Sequence, residues 1–282
     1  MCEINEKIVM ILKKRPRLFD IFLLKRYNNI MKEKYVYQEQ FKLKNSEVDF
    51  KDELKISGAL ALMEEVASTS AEELGFGYSF IKPNGYAFMV SNVRLEILQN
   101  ARVGDTVTVA TWPTPPSFAV FGREYVLKNN REETLLKASS RWCLVDLNTN
   151  KILQSKVIEN QDYSTYNTDR NFEDTVWKIP TFGVENKKPN FCVRIANSAY
   201  DHNMHVNNTR YADYCLNCFT VDELSKRQIK SFQISYVKQC KEHQTLRFYL
   251  NEDSNEEYRI QGVNEQNEIV VISKVAFKKD GE

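Results

Sequence analysis

Apolar and polar residues alternate along much of this chain, and the alternation changes period at two places. VYQEQFKLKNSEVD (36–49) alternates as a half-buried strand does. In ISGALALMEEVASTSAEELGFG (56–77) the period lengthens: Ile56, Leu60, Met63, Ala67 and Leu74 recur at helical spacing. Ser57 is the candidate N-cap, and Gly75 or Gly77 the stop. Four strand-like runs follow: YAFMVSNVRLEIL, DTVTVATWP, FAVFGREYVLK and TLLKASSRWCLVDL. The turn signals VGD, PTPP, KNNRE and LNTN mark the breaks.

Residues 155–188 are polar and irregular, which predicts a linker. The plan then repeats. CVRIANSAYD reads as strand into loop, NNTRYADYCLNCFTVDEL as one helix, and FQISYVKQC, QTLRFYLN, EYRIQGVN and EIVVISKVAFKK as strands. Two copies of strand, helix and antiparallel meander predict an α+β protein with a duplicated unit, spanning 35–154 and 189–282. Direct identity between the halves is weak, so the repeat rests on pattern.

Residues 1–34 differ in texture. Apolar clusters alternate with basic ones, and nine Lys or Arg stand against four Asp or Glu. The apolar runs IVMIL and LFDIFLL fall far short of the ~20 residues of a spanning helix, and KKRPR separates them. The expectation is a basic, amphipathic helical extension with no membrane span. It would pack on the body, rest on a surface or attract an acidic partner.

Composition changes this picture little. Of 282 residues, 42% are hydrophobic and 27% charged, as in an ordinary globular chain. A net charge of +1 gives no reason to expect nucleic-acid binding. Six scattered cysteines with no signal peptide ahead of them are expected to be reduced thiols in the cytoplasm. Cys215 and Cys218 form a lone CxxC, read as two buried thiols rather than as half of a zinc site.

Candidate chemistry concentrates in DHNMHVNN (201–208), which holds two of the three histidines. Asp201, Asn203 and His205 fall at every second residue. A metal site would need a third or fourth ligand, and His243 is the only other histidine. A structural loop is a further reading, because Asn and Asp cap helices and tolerate unusual backbone angles. A catalytic reading assigns His205 as base or relay and Asn203 as a group that orients water or carbonyl. Free N–H groups at the start of the following helix would then face an anion. That combination suits acyl transfer or hydrolysis.

DHNMHVNNTRY resembles the D-x-N-x-H-V-N-N-x-x-Y signature of acyl-[acyl carrier protein] (acyl-ACP) thioesterases, plant and bacterial. SYVKQC (235–240) is similar to the E-Y-x-x-E-C segment of that family, at the spacing expected after the histidine. LALMEEVASTSAEELGFG, GDTVTVATWP and RWCLVDLNT resemble family segments in the first half, so the resemblance covers about residues 35–275.

The resemblance implies a tandem hot-dog fold: two antiparallel sheets, each wrapped around one long helix. The first domain (35–154) would hold the acyl chain, and the second (189–282) the catalytic residues. By position, Asp201, Asn203, His205, Gln239 and Cys240 become the site residues. Backbone groups of Val206, Asn207 and Asn208 would hold the oxyanion, and Met63, Val66, Ser70 and Phe88 would line the chain tunnel.

The family's glutamate falls on Gln239, and an amide cannot act as general base. Three explanations stay open. His205 takes the water proton with Asp201 supporting it; Cys240 is a nucleophile with His205 as base; or the chain is an impaired, acyl-binding relative.

The expected reaction is hydrolysis of fatty acyl-ACP, with an acyl-coenzyme A thioesterase or a non-catalytic acyl-binding protein as alternatives. Neither cofactor nor metal is expected. The acidic carrier protein would dock on Lys or Arg of residues 7–34, or on Arg123, Arg141, Lys238 and Lys241. Because the tandem halves already pair, a monomer or a homodimer is expected.

Overall fold

The computed structural model describes residues 34–158, 165–174 and 176–279. Apart from Lys34, the basic extension expected over 1–34 lies outside them. Alternating patterns become strands where expected. β1 is Tyr37–Lys42, β2 Tyr86–Ile97, β3 Thr106–Pro113, β4 Phe121–Lys128, β5 Thr134–Asp146 and β6 Lys151–Leu153. β7 (Phe191–Arg194), β8 (Ile229–Tyr236), β9 (Thr245–Ser254), β10 (Glu257–Val263) and β11 (Ile269–Phe277) follow.

All eleven join one antiparallel sheet in the order β1-β3-β4-β5-β2-β8-β11-β10-β9-β7, with β6 on β5. The two halves meet where β2 pairs with β8. There Leu95 lies opposite Phe232, both fully buried, and Asn92 Nδ2 donates to Ser235 Oγ at 2.6 Å.

Each half lays one helix against the sheet. α1 (Ile56–Glu73) buries Ile56, Leu60, Met63, Val66 and Ala67 against β1 and β3. It begins one residue before the expected cap: Lys55 is the extended N-cap, and Ser57 sits inside the first turn with its hydroxyl buried. The reason is a close backbone approach. Lys55 N–H donates to Glu47 O at 3.1 Å, and a side chain at Gly58 would run into that same carbonyl. The helix stops at Gly75, whose φ of +80° suits glycine.

Two further expectations need correction. The single helix expected over 207–224 is two. The first is α3 (Asn208–Leu216), which follows the short α2 (Tyr78–Ile81); the second is α4 (Val221–Ser225). Thr220 restarts the helix through a capping box with Glu223. In SYVKQC, β8 ends at Tyr236, and Val237 and Lys238 both donate to Val270 O. Gln239 and Cys240 therefore stand on a turn after the strand.

The segment after 164 is irregular yet tied to the sheet. Asn171 Nδ2 donates to the carbonyls of Tyr125 and Ala138, at 2.9 and 2.8 Å, and Gln233 Nε2 donates to Trp177 O at 2.9 Å. Among the described residues no helix is long and apolar enough to cross a membrane.

Candidate active site

The loop 199–207 is shaped by one carboxylate. Asp201 Oδ1 accepts the amides of Asn203 (2.8 Å) and His205 (3.2 Å), while Asp201 N–H returns a bond to His205 O at 2.8 Å. Asn and Asp side chains close turns in this way. The turn puts Met204 at φ +60°, with its side chain 76% exposed. Asp201 thus holds the backbone of the loop, and among the described residues its carboxylate accepts from backbone amides rather than from the imidazole.

Asn207 then caps α3. Its Oδ1 accepts Thr209 N–H at 2.8 Å and Thr209 Oγ1–H at 2.6 Å. Its own N–H donates to Ala199 O at 2.9 Å. Asn207 is therefore no oxyanion donor. The amides of Val206 and Asn208 have no partner among the described residues, and both residues line the cavity described next.

That cavity has a volume of about 1060 Å³. Asp201, Asn203, His205 and Gln239 line its polar end, contributed by the loop and by the turn after β8. At the other end Phe76, Phe88 and Phe121 form an aromatic wall. Phe88 stands edge-on to both neighbours, with ring centroids 6.1 and 5.2 Å apart. Of the four residues expected to line a chain tunnel, Phe88 lines this cavity. Met63, Val66 and Ser70 are buried in the packing between α1 and the sheet and do not reach this cavity. Their helical phase turns them toward the sheet.

Cys240 is 1% exposed and outside the cavity lining. Its Sγ lies 2.7 Å from Tyr211 Oη. Burial pushes the thiol above its ordinary value, which lowers the thiolate fraction a nucleophile needs. Cys215 and Cys218 are free thiols, and burial pushes Cys215 up to about 12. His243 sits in a turn away from the cavity, and among the described residues no three His, Cys, Asp or Glu side chains are grouped to hold a metal.

One residue of the cavity went unnoticed in the sequence. Glu64, half-buried on α1, faces the cavity beside Asp201 and His202. Burial raises its carboxyl pKa, the Asp201 carboxylate adds to the rise and His202 opposes it. The neighbouring pair Glu64–Glu65 was the available signal, since one of two adjacent glutamates flanks the buried face.

The basic residues expected to dock a partner separate. Arg123 is 6% exposed and cannot: its Nη1 donates to Ser70 Oγ at 2.8 Å and Thr111 Oγ1 at 3.3 Å inside the fold. Arg141 stacks on Trp177 at 4.5 Å. Lys238 and Lys241 are exposed, and Lys238 lines the cavity together with Lys82.

Comparison with known proteins agrees with this architecture. Residues 34–160 match the acyl-ACP thioesterase N-terminal domain, and residues 184–279 match the C-terminal domain. The chain is 19% identical to oleoyl-acyl carrier protein thioesterase 2, chloroplastic, of Arabidopsis thaliana. That match takes in 77% of this chain and spans 63% of the relative's length.

Two solved structures share the fold. An acyl-ACP thioesterase from Bacteroides thetaiotaomicron has a TM-score of 0.77 at 23% identity, covering 86% of this chain and 98% of that one. The 12:0-ACP thioesterase from Umbellularia californica has a TM-score of 0.76 at 16% identity, covering 86% and 97%. The fold is the double hot-dog that the sequence resemblance implied, and the chain belongs to the acyl-ACP thioesterase family.

Proposed function

We propose that the chain hydrolyses a fatty acyl thioester carried on acyl carrier protein, releasing the fatty acid and the carrier's thiol. One observation carries the reading. A single cavity joins a polar end, built from Asp201, Asn203, His205 and the start of α3, to an aromatic wall of Phe76, Phe88 and Phe121. A thioester has the same two-part chemistry, with a polar carbonyl on a long apolar chain.

In this reading residues 35–154 supply the chain pocket, and residues 189–282 supply the polar loop. The N–H groups of Val206 and Asn208 hold the oxyanion, helped by the positive end of α3. Asn203 and His205 lie beside the carbonyl and the departing sulfur. Gln239, exposed at the cavity, hydrogen-bonds the attacking water, because its amide both donates and accepts. It cannot take the water's proton, so the site needs a base elsewhere. Cys240, buried against Tyr211, stays a structural thiol.

Lys82 and Lys238 are exposed beside the cavity; Lys238 is paired with Glu268 at 2.6 Å, and Lys82 offers positive charge to an acidic carrier protein. The five cysteines among the described residues are free thiols, which suits a reducing compartment such as the cytoplasm, and the paired halves suit a monomer or a homodimer. Gln239 favours one rival, a protein that binds acyl chains without cleaving them.

Thiol release from a panel of acyl-ACP thioesters, beside acyl-coenzyme A of matched length, separates these readings. Turnover on acyl-ACP that His205→Ala abolishes is expected. Binding of acyl-ACP without release would support the non-catalytic rival, and release from the coenzyme A substrate alone would move the assignment to that carrier.

A further inference from the structure

Gln239 leaves the cavity without the carboxylate that the family signature supplies after β8. The structure brings in another from the opposite half. α1 packs against α3, and where they meet Glu64 turns into the cavity. The same carboxylate borders a side pocket of about 30 Å³, shared with Asn208 and Tyr236. Tyr236 Oη donates to Asn208 O at 3.1 Å, which fixes the first turn of α3 at this spot. Glu64 therefore borders the same space as Asn208, one of the two amides without a partner among the described residues.

In the reading above His205 stands beside the carbonyl and the departing sulfur, and the other titratable groups at the cavity differ in how they are already engaged. Asp201 Oδ1 accepts two backbone amides and holds the loop. Cys240 is buried outside the cavity. Arg123 also lines the cavity, but it is a cation that donates to Ser70 and Thr111. Glu64 has no ion pair among the described residues, and it is desolvated where an acyl chain would seal the cavity further. The groups facing it are Asp201, His202 and Glu65, with the Tyr125 and Tyr236 hydroxyls behind. A carboxylate that is partly desolvated and beside a like charge is a stronger base than one in water.

We propose that Glu64, contributed by the N-terminal half, is the general base that takes the proton from the attacking water. The step rests on the thioesterase reading above. Water donates one proton to the Glu64 carboxylate while its oxygen bonds to the thioester carbon. The carbonyl electron pair moves onto oxygen, facing the Val206 and Asn208 amides. That pair then returns, the C–S bond breaks, and the sulfur leaves with the proton that Glu64 had taken. One water enters, and one carboxylic acid and one thiol leave. The active site is thus completed across the two halves, with neither half catalytic alone.

The test compares the full chain with Glu64→Gln, Glu64→Asp and the double variant Glu64→Gln/Gln239→Glu, following thiol release from acyl-ACP against pH. Glu64→Gln is expected to lose about 10²–10⁴ in kcat, the range for a general base, with KM changed little. It should also lose the acid limb of the pH profile, which in the unaltered chain lies above the ordinary glutamate range. Glu64→Asp keeps the limb at reduced rate, and a carboxylate restored at 239 recovers part of kcat. Glu64→Gln with unchanged kcat and an unchanged acid limb overturns the assignment, as does a loss confined to KM. An unaltered chain that cleaves no acyl-ACP overturns the thioesterase reading itself, and the role of Glu64 with it.

Discussion

Tyr211 Oη and Cys240 Sγ lie 2.7 Å apart, so α3 is fastened to the turn that carries Gln239. The thiol is buried and its pKa is raised. It is protonated at neutral pH and out of reach of the cavity. Cys240→Ser is expected to keep kcat within a few-fold and to cost about 1 kcal/mol of stability. Iodoacetamide should label Cys240 far more slowly than exposed Cys192. A Cys240→Ser chain that is inactive yet folded would restore the nucleophile reading.

Asp201 clasps the loop. Its carboxylate holds the amides of Asn203 and His205, bonds worth about 1.5–3 kcal/mol each when charge-assisted. Asp201→Ala should loosen the loop and lower kcat by at least tenfold. Asp201→Asn keeps an acceptor at the same atom and should recover most of that loss. If Asn fails as badly as Ala, the charge itself is needed in the reaction and the clasp account is wrong.

Glu64 also leaves a mark on stability that needs no substrate. Its folded pKa is raised above the ordinary 4.5, first by burial and then by Asp201. Between those two values the folded state binds more protons than the unfolded state, so stability falls as pH rises through that window. Glu64→Gln is neutral throughout. It should match the unaltered chain below pH 4 and be at least as stable at pH 7. A variant less stable at pH 7 than at pH 4, relative to the parent, would mean the ionised carboxylate holds the fold together.

Phe88 sets the shape of the apolar end through its edge-on contacts with Phe76 and Phe121. Phe88→Trp should move the preferred acyl chain shorter. Phe88→Leu should move it longer at a cost of about 1–2 kcal/mol. Ratios of kcat/KM across a chain-length panel measure both shifts. Equal ratios in all three proteins would put the chain elsewhere.

The strands were legible because one face of each is buried, which writes a period of two into the residues. α1 was legible from Leu60, Met63 and Ala67, and the polar loop from its motif. Other features are tertiary. Met63, Val66 and Ser70 point toward the sheet and Glu64 toward the cavity, a rotation about α1 that spacing alone does not reveal. Asn207 looked equivalent to Asn208 until the fold spent its amide on Ala199. The break between α3 and α4 hid in a helical composition, because a capping box at Thr220 outweighs modest propensity differences. Arg123 read as surface charge, yet lies 6% exposed beneath α1.

Hydrolysis of acyl-ACP in this cavity has to proceed with a glutamine at 239. The most direct measurement is kcat/KM for thiol release from acyl-ACP by the chain as it stands and by His205→Ala. Steady turnover is expected from the first, one fatty acid per thiol, and a loss of at least a hundredfold in the second. No turnover until Gln239→Glu is introduced would contradict it, and would make the chain an acyl-ACP binder with a disarmed site.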